Sequence, residues 1–218
     1  MRVLQGTKVI EAPESWCDGV MLDGRPVVID LGAGDGRYVY ESARDDPTRL
    51  YLGIDPDSDA MSEYAFRASR KPARGGVENA RFVVSSLERL PPELNGIASL
   101  VRVNFPWGSL LRGLLQPDPA ALCAMAKLAP AGRFEIVVSY DPEHDTGAFL
   151  GDPLPRLDET CIVDNLAPAY RNSRLEVTQH RRLTQDEALA VPSTWGRRLL
   201  HARPRDVYWL SGNVSAAP

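Results

Sequence analysis

Val27-Val-Ile-Asp-Leu-Gly-Ala-Gly-Asp-Gly36 is the stretch that decides the fold. A short apolar strand, Val27 to Asp30, runs straight into a loop with glycine at every second position, Gly32, Gly34 and Gly36, and a helical stretch follows from Tyr38 to Asp46. Strand, glycine turn and helix together form the opening unit of a parallel α/β sheet, where glycines let the chain turn sharply and approach a ligand closely. Working outward, Leu50 to Ile54, Arg81 to Val84, Ser99 to Val103 and Arg133 to Val138 read as further buried strands. Helical signals over Ser58 to Lys71 and Pro119 to Leu128 separate them, the second opened by a proline and stopped by Pro130. Alternation of this kind predicts a parallel sheet covered on both faces. Arg2 to Ile10 alternates around a glycine turn and predicts a separate small hairpin. A helix near Glu159 to Tyr170 leads to Leu175–Thr178, a helical turn at Gln185 to Ala190, an arginine-rich connection and a last strand, Asp206–Leu210. Five parallel strands closed by two more give a seven-stranded, mostly parallel sheet with an antiparallel C-terminal edge.

The third glycine of the loop comes one residue early for the dinucleotide fingerprint Gly-x-Gly-x-x-Gly. A pyrophosphate is held by a helix N-terminus, and an acid at the end of the first strand has no place beside it. Asp30 suits a cationic amino group instead. That combination points to S-adenosylmethionine, whose amino-acid end is zwitterionic, on a class I Rossmann-like fold. Asp55, ending the second strand, is placed to accept hydrogen bonds from both ribose hydroxyls. Ser86 and Leu87, just past the third strand, are placed to meet the adenine ring.

Composition narrows the rest. The 218 residues, 44% hydrophobic, are enough for one substantial core. Cys17, Cys123 and Cys161 are odd in number and widely spaced, which argues against a disulfide framework or a zinc cage and fits a reducing cytoplasm. No stretch approaches the roughly 20 apolar residues that span a bilayer. The net charge of −4 is mildly unfavourable for nucleic acid, but the charges are segregated. Arg67, Arg70, Lys71 and Arg74 form one cationic cluster, and Arg181, Arg182, Arg197, Arg198, Arg203 and Arg205 populate the last third. Between them Asp141, Glu143, Asp145, Asp152, Asp158 and Glu159 make an acidic stretch, expected to repel phosphate.

The fourth strand runs into Asn104-Phe-Pro-Trp-Gly-Ser-Leu-Leu-Arg112, at the strand ends where a ligand crevice lies in open α/β sheets. Whatever is modified should meet this segment. Trp107 follows a proline and offers a flat face to a base, although a place in the core suits it nearly as well. Trp195 lies among arginines in the connection Pro192 to His201, and an aromatic among cations is a recurring way to hold an unstacked nucleotide. Trp107 and Trp195 can therefore sandwich a flipped base. Trp16 and Trp209 read as packing residues of the hairpin and last strand. His144, His180 and His201 are scattered and read as surface or packing residues.

Phe105-Pro-Trp-Gly-Ser-Leu-Leu-Arg-Gly113, Glu88-Arg-Leu-Pro-Pro92 and Thr194-Trp-x-Arg-Arg-Leu199 resemble the aminoglycoside-resistance 16S ribosomal RNA adenine-N1 methyltransferases of the Kam/Npm type, and the resemblance covers nearly the whole chain. It implies that Trp107 and Trp195 clasp an adenine of the decoding site in the 30S subunit. It further implies that Glu88, Ser109 and Ser193 join Asp30 and Asp55 around the cofactor. Gly32, Gly34, Pro56, Ser86, Leu87 and Asn104 complete the expected cofactor set. Arg67, Arg70, Lys71, Arg74, Arg198, Arg203 and Arg205 are expected to hold rRNA. The organisation expected is one methyltransferase domain over 1–218, with 1–22 as an N-terminal hairpin extension and 141–172 and 184–205 as substrate-recognition linkers. A cytoplasmic monomer without metal is expected. Three other readings share the same residues: a methyltransferase for another RNA of the tRNA guanine type, a small-molecule methyltransferase, and a weakly active or non-catalytic RNA-binding relative.

Overall fold

The computed structural model describes residues 1–145 and 154–216. Its strands are β1 (Arg2–Gln5), β2 (Lys8–Glu11), β3 (Val27–Leu31), β4 (Leu50–Asp55), β5 (Ala80–Val84), β6 (Leu100–Asn104), β7 (Arg133–Val138), β8 (Leu175–Arg182) and β9 (Tyr208–Val214). They join one sheet in the order β2-β1-β5-β4-β3-β6-β7-β9-β8. The five strands β3 to β7 are parallel, and β9 and β8 close one edge antiparallel, as expected. The hairpin does not stand apart. Val3 pairs antiparallel with Val83, so among the described residues the sheet has nine strands rather than seven. The physical reason is the edge of β5, whose backbone groups would otherwise lack a ladder partner, and which β1 covers with its buried Val3 and Leu4.

The helices are α1 (Trp16–Leu22), α2 (Arg37–Asp45), α3 (Ser58–Ala68), α4 (Gly108–Leu115), α5 (Pro119–Leu128), α6 (Ala167–Asn172), α7 (Gln185–Ala190) and α8 (Thr194–Ala202). A π-helical stretch, Cys161–Leu166, runs directly into α6. Successive strand residues point to opposite faces. Val27, Ile29 and Leu31 belong to the large cluster under α4, α5 and α6, whereas Val28 packs with Val39 and Ala43 of α2 and Met61 and Ala65 of α3. Further along that second face, Val137 packs with Phe105, Ala188 of α7 and Leu199 and Leu200 of α8 in a separate small cluster.

Three expectations are corrected. Trp16 packs against the main cluster from α1 rather than from the hairpin. Thr194–Ala202 is a helix, not an irregular connection: Ser193 caps it by accepting from the Gly196 N–H at 3.0 Å, and its apolar face is only Gly196, Leu199 and Leu200. Arg205 is not a surface cation. Its guanidinium makes two hydrogen bonds to Asp145, at 2.7 and 2.6 Å, and the two side chains are only 3% and 4% exposed. Arg205 is thereby removed from the RNA-facing set and Asp145 from the repulsive acidic stretch. Residues 146–153 of that stretch, Asp152 included, lie outside the described residues.

Removing one partner of a buried ion pair strands the other charge. Arg205→Ala should therefore lower folding stability by about 3 kcal/mol. Denaturant titration checks this, since a phosphate-contacting surface arginine would leave the midpoint where it was.

Candidate active site

Strand order reverses between β3 and β6, and their carboxyl ends open a cleft of about 450 Å³. The glycine loop forms one wall. Gly32, Gly34 and Gly36 all have positive φ, at 78°, 58° and 80°, a region that side-chain-bearing residues avoid. The loop is pinned to β4: the Gly32 and Ala33 N–H groups donate to the Ile54 carbonyl at 2.8 and 3.0 Å. The Gly34 N–H donates to Asp55 Oδ2 at 2.8 Å.

Asp55 also accepts from the Asp57 N–H at 2.9 Å, through Oδ1. Each of its oxygens thus has one backbone donor and retains a lone pair for a hydroxyl. Burial is the main influence on the Asp55 carboxyl and raises its pKa, with the two backbone N–H groups pulling the other way. Asp30 is deeper, at 2% exposure. Burial pushes it up to about 7, against the lowering effects of Asn104 and Arg102; Asp55 and Asp35 add to the rise. Asn104 Nδ2 donates to Asp30 Oδ1 at 2.8 Å. Asn104 Oδ1 has no hydrogen-bond partner among the described residues. Asp30, Arg102 and Asn104 share the strand face that elsewhere carries the second apolar layer. The Arg102 guanidinium lies 5.1 Å from the Tyr38 ring centroid and 3.4 Å from Glu135.

On the opposite wall, hydrogen bonding from the Ser86 side chain is the main reason that the Glu88 carboxyl stays below its ordinary pKa, with Ser109 adding to it. Trp107, the N-cap of α4, and Trp195 of α8 close the mouth. Their ring centroids are 5.1 Å apart with planes at 66°. The rings touch edge to face. A base stacked between them needs roughly 7 Å between parallel rings, twice a contact distance, so the sandwich is not preformed and the indoles must part.

Every expected cofactor residue lines this one cleft: Asp30, Gly32, Gly34, Asp55, Pro56, Ser86, Leu87, Glu88, Asn104, Ser109 and Ser193. Trp107, Trp195 and Arg198 line it too. Arg67, Arg70, Lys71, Arg74 and Arg203 do not; the first four are exposed along the end of α3 and the turn after it, at the opposite end of that helix from Ala60, which lines the cleft. Arg67 is already engaged, with Glu63 as an ion-pair partner and the Tyr64 ring 4.9 Å below its guanidinium. His144, His180 and His201 are absent from the lining, and His144 instead hydrogen-bonds Asp141 at 2.6 Å. Tyr38, Asp35, Arg102 and Phe105 escaped the sequence reading. Arg102 was open to it, since it sits two residues before Asn104 and so on the same strand face. Among the described residues no group of three or more His, Cys, Asp or Glu could hold a metal, and no helix is long and apolar enough to cross a membrane.

The family described as "NpmA: 16S rRNA (adenine(1408)-N(1))-methyltransferase" matches residues 2–214. The chain belongs to that family. The 16S rRNA (adenine(1408)-N(1))-methyltransferase of Escherichia coli is 31% identical over 217 residues, 99% of each chain. That of Streptoalloteichus tenebrarius is 34% identical over 218 residues, covering 99% of this chain and 100% of the relative. Among solved structures, a mutant 16S rRNA (adenine(1408)-N(1))-methyltransferase from Catenulisporales acidiphilia with cosubstrate SAM superposes with a TM-score of 0.89 at 29% identity, covering 100% of this chain and 98% of that one.

The residues fit S-adenosylmethionine. Asp30 and the unpartnered Asn104 Oδ1 are acceptors suited to an ammonium, and Asp55 has lone pairs for ribose hydroxyls. A cation bound at Asp30 requires the carboxylate. With Asp30 raised from 3.8 to about 7, affinity should rise with pH up to about 7, by as much as about tenfold per pH unit. The contribution of Asp30 to folding runs the other way: a raised folded-state pKa favours the protonated folded form, so stability is lost as pH rises from about 4 to about 7. Calorimetric titration and thermal melts at several pH values, wild type against Asp30→Asn, check both slopes. The variant should bind more weakly and lose both dependences on pH.

Proposed function

We propose that this protein transfers a methyl group from S-adenosylmethionine to N1 of adenine(1408) in 16S rRNA of the 30S subunit, and so confers aminoglycoside resistance. The observation that carries the reading is that Trp107 and Trp195 line the same cleft as Asp30 and Asp55, which supports a stacking site for a planar base beside a site for the cofactor. Bound there, S-adenosylmethionine supplies an electrophilic sulfonium methyl group. Adenine N1 attacks with an in-plane lone pair and has no proton to lose, so no side chain is needed as a base. This agrees with a lining free of histidine. When the N1–carbon bond forms the sulfur–carbon bond breaks, and the positive charge passes to the base. Methylation on the Watson–Crick edge then meets a polycationic aminoglycoside with both bulk and like charge.

What the chain supplies is placement. Asp30 and Asn104 orient the amino-acid end of the cofactor, Asp55 the ribose, and Ser86 and Leu87 the adenine. Ser193 Oγ accepts from the Gly196 N–H in capping α8, which leaves its hydroxyl hydrogen and a second lone pair for a ligand. Trp107 and Trp195 hold the extruded adenine, and stacking worth roughly 1 to 3 kcal/mol per base offsets part of the unstacking cost. Arg70, Lys71, Arg74, Arg198 and Arg203, with Arg67 once released from Glu63, contact rRNA phosphates. We assign 184–205 to substrate recognition, within one methyltransferase domain that acts as a monomer.

The test is methyl transfer to purified 30S subunits. Trp107→Ala and Trp195→Ala should each lower the rate by about a hundredfold or more through lost orientation, while calorimetry finds cofactor affinity nearly unchanged. A Trp195→Ala enzyme that works at the wild-type rate would falsify the stacking site.

A further inference from the structure

Glycine is among the poorest helix residues, yet Gly196 stands in the first turn of α8, directly after Trp195. A Cβ built on it would lie 2.4, 2.5 and 2.9 Å from Cδ2, Cε2 and Cγ of Phe105. Phe105 has little freedom to step aside. It is 3% exposed and held at φ +49°, in the left-handed region. Its N–H donates to the Val137 carbonyl at 2.7 Å, and its ring packs with Val137, Ala188, Leu199, Leu200 and Val207. A non-glycine residue kept in a sparsely populated conformation by its surroundings is a frequent mark of a functional position.

We propose that Gly196 is a positioning residue for base recognition, its missing side chain letting α8 lie directly on the Phe105 ring and so fixing the backbone from which Trp195 faces Trp107, the indoles parting by rotation of their side chains. The inference rests on the reading that the two indoles hold the target adenine. Trp195 immediately precedes Gly196, and Trp107 lies two residues after Phe105. One contact therefore sets the spacing of the two backbone segments that carry the indoles. It also supports Arg198, two residues further along the same helix and in the cleft lining. An alanine at 196 would push α8 outward by about 1 Å to restore van der Waals contact. Of the expected cofactor set only Ser193, the cap of α8, lies on the displaced element; the others are on the sheet, the glycine loop and the turns after the strands.

The test compares Gly196→Ala, Phe105→Ala, the double variant and Trp195→Ala. Its readouts are kcat/KM on 30S subunits, cofactor affinity, thermal midpoint and the circular-dichroism couplet of the two indoles. Gly196→Ala should lower kcat/KM by about a hundredfold, as expected for a misplacement near 1 Å. The couplet should shrink, while cofactor affinity changes by less than about threefold, a small step on the affinity scale. Phe105→Ala opens the space that the new methyl needs, so the double variant should recover at least about tenfold over Gly196→Ala, the coupling expected of two residues in contact. Wild-type kcat/KM in Gly196→Ala overturns the proposal, as does a double variant that is no better than Gly196→Ala. Should Gly196→Ala fail to fold, a double variant that folds and methylates supports the proposal, and one that is unfolded or inactive overturns it. A Trp195→Ala enzyme that keeps the wild-type rate removes the stacking reading instead, and is distinguished by that variant alone.

Discussion

The reversal of strand order between β3 and β6 is the constraint on which the rest of the structure depends. Because β3 pairs with β4 on one side and β6 on the other, the connections leaving their carboxyl ends diverge, and a crevice is unavoidable there. All of the chemistry is placed by that geometry. The glycine loop leaves β3, Asp55 ends β4, Asn104 ends β6, and the turn bearing Phe105 and Trp107 follows immediately. The cost is local: Asp30 and Asn104 are polar side chains on a buried strand face, and one acceptor of the pair remains unmatched. Burial without full pairing is expensive, and it is a cost that the proposed ammonium contact at Asp30 and Asn104 would relieve.

A second constraint concerns the substrate side. The main core extends beneath most of the sheet, whereas Phe105, Val137, Ala188, Leu199, Leu200 and Val207 form a small cluster of their own beneath α7 and α8. Helix α8, which carries Trp195, is seated on this modest apolar pad, separate from the layer that supports the glycine loop, whereas Trp107 packs against both the pad and the main core. The buried pair between Arg205 and Asp145 ties the connection after α8 to the one after β7 and gives this pad a second anchor.

Much of the site was legible in the chain because its signals are local. A strand, three alternate glycines and an acid can be read within ten consecutive residues, and Asp55 and Ser86 follow from counting strands. Three features were not legible, each because it depends on distant partners. The hairpin joins the sheet through Val3 and Val83, some eighty residues apart. Arg205 looks like any RNA-facing arginine until Asp145, sixty residues earlier, is seen to enclose it. Helix α8 was hidden because its buried face is only Gly196, Leu199 and Leu200, too short a stripe to show a helical period, and only Phe105 beneath it explains why glycine is there.

The central claim is the identity of the methylated atom. It is tested most directly by incubating purified protein and S-adenosylmethionine with 30S subunits and, separately, with tRNA, then mapping modified positions by primer extension and nucleoside mass spectrometry. The account predicts 1-methyladenine at adenine(1408) of 16S rRNA and no modification of tRNA. A methyl group on a tRNA guanine, or 16S rRNA left unmodified, would contradict it.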